Sequence, residues 1–99
     1  MKIERTKVEK ISIEKFADKH DLVMEVRERA DPSLSKYYAH FKKASIKDGF
    51  VLKYVSGDGD TEEEAIKNYA SKISNQLLVI DVESEYRSEH GLIYVPFLK

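Results

Sequence analysis

The segment Ser56-Gly57-Asp58-Gly59-Asp60-Thr61-Glu62-Glu63-Glu64-Ala65-Ile66 constrains the fold more than any other, because it joins two glycines to a strongly marked helix start. Thr61 precedes Glu64 by three residues, the spacing of a capping box, in which the hydroxyl accepts from the amide of residue 64 and the carboxylate reaches back. Three glutamates in the first turn suit the positive end of the helix dipole. Ile66, Tyr69, Ala70, Ile73 and Leu77 follow at helical spacing and predict one buried stripe. The glycines before the cap predict a turn that delivers the chain from an aromatic-rich strand into this helix.

A second, shorter helix is predicted over 12–20. Ser12 stands as N-cap, and Ile13, Phe16, Ala17 and His20 recur at i, i+3, i+4 and i+7. Residues 1–11 carry few apolar side chains and read as an edge strand or an arm. Leu22, Met24 and Val26 then alternate with Val23, Glu25 and Arg27 until Asp31-Pro32-Ser33 stops the pattern. Tyr37, Ala39 and Phe41 alternate in the same way, and after Asp48-Gly49 comes Phe50-Val51-Leu52-Lys53-Tyr54-Val55. Asp-Gly between β-rich runs predicts a hairpin joining these two strands. Residues 77–99 predict a C-terminal hairpin, Leu77 to Val82 against Gly91 to Pro96, with Pro96 at an edge or an end. The expected fold is α+β: an α-β-β-β-α core, in which an antiparallel sheet carries both helices on one face, with the hairpin extending or flanking it. Ninety-nine residues with 41% hydrophobic content fit a single domain, 1–99, with one modest core.

Composition excludes several functions. No apolar run approaches the roughly 20 residues that span a bilayer, and the charged start Met1-Lys2-Ile3-Glu4-Arg5 is not a signal peptide. A cytoplasmic location without membrane contact is expected. The absence of cysteine removes disulfides, thiolate nucleophiles and cysteine zinc sites together. The net charge of −1 hides an asymmetry: residues 1–56 hold thirteen Lys and Arg against nine Asp and Glu, and residues 57–99 hold four against nine.

No local pattern marks a reaction. The Gly57-x-Gly59 segment resembles a phosphate cradle in its glycines alone, because its carboxylates oppose an anion where helix amides attract one. Asp58-Gly59-Asp60 lacks the remainder of a calcium loop, so metal-dependent chemistry at Asp58 and Asp60 is a third-choice reading. His20 reads as a packing or capping residue, and His20, His40 and His90 share no metal-binding spacing. No nucleophile elbow is present. No catalytic residue, cofactor or metal is therefore expected, and the protein is read as not an enzyme.

Two surfaces remain. If Leu22, Met24, Val26, Tyr37, Ala39 and Phe41, with Leu52 and Tyr54, face the helices, then Arg27, Arg29, Tyr38, His40, Lys42 and Lys53 gather on the opposite side of the sheet. That face is basic and aromatic, suited to nucleic acid. The stronger reading is that it is what any half-exposed antiparallel sheet presents to water or to a protein. In the last hairpin Ile80, Val82, Ile93, Val95, Phe97 and Leu98 are many apolar groups for a late element. Those the core does not consume, Ile93, Val95, Phe97 and Leu98 foremost, form a dimer or partner interface.

The order α-β-β-β-α over roughly 12–76, with an aromatic strand, Asp48-Gly49 and Gly57-x-Gly59 before the second helix, resembles the double-stranded RNA-binding domain. In that family a lysine-rich helix start holds phosphates. Here Thr61-Glu62-Glu63-Glu64-Ala65-Ile66-Lys67 stands there, so the resemblance implies the topology and not the RNA contacts. Tyr38-Ala39-His40-Phe41, Asp48-Gly49-Phe50-Val51 and Gly59-Asp60-Thr61-Glu62-Glu63-Glu64-Ala65-Ile66 resemble HicB-type antitoxins, which have a β-β-β-α-β core and bind a small toxin. The family's apolar-Pro-Asp segment is replaced by Lys53-Tyr54-Val55-Ser56, and the N-terminal helix is extra. The glycine, threonine and glutamate run followed by Ala-Ile-x-x-Tyr-Ala also resembles small uncharacterised proteins of bacteriophages and related elements. Together these readings predict a non-catalytic accessory protein of phage or mobile-element type that binds a protein and forms a homodimer. The alternative is a nucleic-acid-binding module using the open sheet face.

Overall fold

Ser12 caps the first helix as its position predicts: its hydroxyl accepts from the Lys15 amide at 3.2 Å, and α1 runs Ile13–Lys19 with Ile13 and Phe16 buried. The structure is a computed structural model that describes residues 1–3, 11–80 and 91–99. The arm or edge strand expected within 1–11 falls mostly outside the described residues, as do Val82 and His90. Ile11 itself bridges Leu98 in parallel, and its carbonyl accepts from the Lys99 amide at 3.0 Å.

After α1 the chain forms β1 (Met24–Glu28) and β2 (Tyr37–Phe41), paired antiparallel from Met24↔Phe41 to Glu28↔Tyr37. The Asp31 carboxylate accepts from both the amide and the hydroxyl of Ser33, at 2.9 and 2.7 Å, and so turns the chain between them. Then come β3 (Ala44–Asp48), β4 (Val51–Lys53), β5 (Gly57–Gly59), α2 (Glu62–Ile73), β6 (Leu77–Ile80) and β7 (Leu92–Tyr94). The fold is α+β. Its strands divide into two antiparallel sheets, β1-β2-β5 and β4-β3-β6-β7.

The division has one local cause. Lys42 and Lys43 make a turn, Lys43 with φ of 57°, and the chain reverses there into β3. The Asp48-Gly49 hairpin predicted from the sequence does form, but it joins β3 to β4 and not the Tyr37 strand to the Phe50 strand. β2 takes β5 as its second neighbour instead, through Tyr37↔Gly59 and Ala39↔Gly57. The segment read as a glycine turn is therefore a short strand.

Gly57 and Gly59 are both buried, and a Cβ at either would press into the backbone of α2, at the Ala65 carbonyl and Tyr69 amide for Gly57 and the Ala65 amide for Gly59. Glycine at these positions lets strand and helix touch. Thr61 caps α2 as predicted, accepting from the Glu64 amide at 3.1 Å. The returning Glu64 carboxylate reaches one residue further than the capping-box pattern, to the Asp60 amide at 3.0 Å. α2 ends at Ile73 because Asn75 takes a left-handed conformation, φ 62°, while the Ser74 hydroxyl donates to the Ala70 carbonyl at 2.6 Å. Leu77, predicted on the helix stripe, lies in β6 instead.

Both helices cover the Met24, Ala39 and Phe41 face. Phe16 from α1 and Tyr69 from α2 meet Phe41, the latter edge-on with ring centroids 5.4 Å apart. Each of these fully buried aromatics contributes about 2–3 kcal/mol through burial, with about 1 kcal/mol more from the edge-to-face pair. The C-terminal segment closes the same core. The Leu98 amide donates to Ser74 at 3.0 Å, the Asn75 amide donates to the Val95 carbonyl at 2.8 Å, and Val95 and Leu98 are buried with Ile46, Ile73 and Leu78.

Candidate functional site

Because β1 and β2 face the helices with Met24, Val26, Ala39 and Phe41, the intervening side chains emerge on the other side. Glu25 lies opposite His40, and Arg27 opposite Tyr38. These four and Lys42 line an open groove of about 520 Å³, closed at its far side by Lys43, Ala44 and Ser45 of the turn into β3 and by Tyr54 beyond β4. The structure thus brings Arg27, Tyr38, His40 and Lys42 together as the alternation predicts.

Arg29 stands at the rim and is already engaged. Its guanidinium donates to the Asp58 carboxylate and to the Ser35 carbonyl, the latter at 3.0 Å, and lies 4.7 Å from the Tyr38 ring centroid. It holds Tyr38 in place. Lys53 does not belong to the groove: it sits opposite Ile46 in the second sheet and pairs with Asp48 at 2.8 Å. Tyr54 departs from expectation in the opposite sense. Placed by alternation with the helix-facing residues, it is exposed and meets His40 edge-on at 5.2 Å, because β4 pairs with β3 and not with β2. Leu52 is likewise exposed.

The groove combines aromatic surface with charge. Tyr38 and His40 lie nearly parallel, 19° apart with centroids at 6.2 Å, and Tyr54 stands across His40. His40 Nδ1 is 3.1 Å from the Phe41 carbonyl, which only accepts, so that nitrogen carries the proton in this contact. Glu25 is hydrogen-bonded to Arg27, which holds its carboxyl below the ordinary value against the opposing effect of burial. Partial desolvation, then the neighbouring Tyr38, raises the Tyr54 hydroxyl although the side chain is largely exposed. Among the described residues, Lys42 and Lys43 belong to none of the ion pairs. A second hollow of about 410 Å³, lined by His20, Asp21, Leu22, Val23 and Ile80, shares both lysines with the groove.

The second surface is the outer face of β4-β3-β6-β7. Register places Leu52, Lys47, Leu77 and Tyr94 in one row across the four strands, with Ser45, Val79 and Leu92 in the next. Leu52, Leu77, Leu92 and Tyr94 are exposed by 39, 38, 54 and 60%. The interface residues predicted from the last hairpin divide differently. Val95 and Leu98 are consumed by the core, Ile93 packs against it half-buried, and only Phe97 stays exposed. Strand alternation and the tie to Ser74 turn the expected apolar set inward and leave Leu92 and Tyr94 outside.

The acidic segment holds cations of its own. The Asp58 carboxylate takes Arg29 on one oxygen and lies 3.7 Å from Lys72 on the other, while the Asp58 amide donates to Asn68 at 2.9 Å. Asp58 therefore braces the β5 edge against β1 and α2. His20 packs on Phe16 at 4.7 Å at the end of α1, in the packing role its position predicts. No helix among the described residues is long and apolar enough to cross a membrane. No family model, curated relative or solved structure matches the chain.

Proposed function

We propose that this chain is a non-catalytic protein-binding domain that docks its partner on the outer face of the β4-β3-β6-β7 sheet. The observation that supports this reading is the exposed set Leu77 and Tyr94, directly paired on β6 and β7, with Leu92 next on β7 and Leu52 across Lys47 on β4: large apolar side chains on one face of a sheet that buries Ile46 and Leu78 on its other face. Scattered exposed apolar residues are ordinary, but several large ones gathered on one sheet face are characteristic of a docking surface. Lys47 on β3 is the one charged group in the row and stands between Leu52 and Leu77, so a partner meets apolar surface on both sides of a single cation.

A second copy of the chain is the first partner to measure. Light scattering over a wide concentration range is expected to show a dimer that Leu77→Asp with Leu92→Asp converts to a monomer while the circular dichroism spectrum is unchanged. If the protein is monomeric throughout, a photo-crosslinking residue at position 77 is expected to trap a discrete heterologous partner in the native host, and one at Lys15 on α1 is not. A monomer that gives the same crosslinks from both positions overturns the reading.

A further inference from the structure

We infer that the groove between the sheets binds single-stranded nucleic acid, on a surface that meets the proposed protein-docking face at Ser45. Its chemistry has the two parts such a ligand needs. Tyr38, His40 and Tyr54 offer rings on which bases stack, and Arg27, Lys42 and Lys43 set three cations against the one carboxylate of Glu25. The rings are preorganised: Arg29 covers Tyr38 and is itself anchored to Asp58, and His40 is held by the Phe41 carbonyl and by Tyr54. Little side-chain freedom is then lost on binding.

The Lys42-Lys43 turn separates this groove from the hollow beside His20, and both hollows are lined by the same two lysines. A ligand with regularly spaced negative charges can lie across that ridge with a base on the aromatic side, which a lone phosphate or a carboxylate cannot exploit. A duplex keeps its bases stacked within and presents no free ring faces to Tyr38 or Tyr54, so the surface favours a single strand. The acidic start of α2 does not oppose this, since Thr61 to Glu64 lie outside the lining of both hollows.

Fluorescence anisotropy with labelled oligothymidine and oligouridine tests the inference on the full chain. With about three phosphate contacts, affinity for a single strand is expected to fall about 20-fold from about 50 to about 200 mM salt. Lys42→Glu with Lys43→Glu, on an exposed turn, is expected to remove binding, and Tyr38→Ala with Tyr54→Ala to weaken it about tenfold or more. Leu77→Asp is expected to leave it unchanged. A charge-reversal variant that stays folded and still binds overturns the proposal even where the tyrosine variant fails to fold. Equal affinity for duplex, binding only of an acidic peptide, or no binding of either strand at low salt also overturns it.

Discussion

Gly49 and Gly57 each stand beside an aspartate and close to a β-strand, yet they differ in what an added side chain would meet. At Gly49 the backbone is left-handed, φ 61°, and no atom lies within 4 Å of where a Cβ would be. At Gly57 the conformation is one any residue adopts, and a Cβ would drive into the Ala65 carbonyl and the Tyr69 amide. One glycine is required for its backbone angles and the other for its missing side chain. The first shapes an exposed hairpin. The second sets the spacing between a sheet and a helix, on which the core around Phe41 and Tyr69 depends.

Gly57→Ala tests the larger half of that contrast. The colliding atoms are helix backbone, which cannot rotate aside, so strand and helix must separate and the packing of Tyr69 on Phe41 loosens. A loss of about 3 kcal/mol or more is expected, at the upper end for overpacking. Chemical denaturation checks it. A variant as stable as the parent would show that the layer yields freely and that the contrast with Gly49 is false.

Much of this layer is legible in the sequence. Ser12 and Thr61 as caps, the stripe through Tyr69 and Ile73, the alternation of β1 and β2 and the C-terminal hairpin all follow from spacing and side-chain type. What escaped has identifiable physics. Lys42-Lys43 contains none of the residues that usually mark a turn, so β3 was hidden although Ala44 and Ile46 alternate with Ser45 and Lys47. With β3 unmarked, simple alternation assigns Tyr54 and Leu52 to the helix-facing side and leaves the groove without its third ring. Gly57-x-Gly59 escaped for a different reason, because a glycine demanded by sterics across the fold looks the same as one demanded by its own angles. Asn75 as a left-handed stop was the readable sign that Leu77 leaves the helix.

High pH sharpens the contrast from inside the layer. Burial pushes the Tyr69 hydroxyl up to about 12 from an ordinary value of 10. The sign follows from linkage: the unfolded chain loses this proton first, so the contribution is full below about pH 10 and is lost as pH rises through about 12. Its size is about 2–3 kcal/mol. Denaturation midpoints from neutral to alkaline pH are expected to fall steeply in this window. In Tyr69→Phe the fall is expected to be shallower, and an identical fall in both proteins would assign it to other groups.

Gly49→Ala carries the smallest expected effect and completes the comparison. The turn lies between Asp48 and Val51, directly paired across the hairpin, and the Asp48 to Lys53 ion pair ties the same two strands on the surface. Nothing crowds the new methyl group, so the whole cost is conformational. An L-residue held left-handed costs about 1–2 kcal/mol, and the stiffer unfolded chain returns part of that, leaving about 1 kcal/mol. Replacement by Asn, which tolerates this region, is expected to recover much of the loss, whereas Gly57→Asn is expected to be worse than Gly57→Ala because it adds bulk where there is no space. That opposite response of two glycines to one substitution separates an angle requirement from a space requirement. If Asn were no better than Ala at position 49, the left-handed turn would not be what that glycine is there to provide.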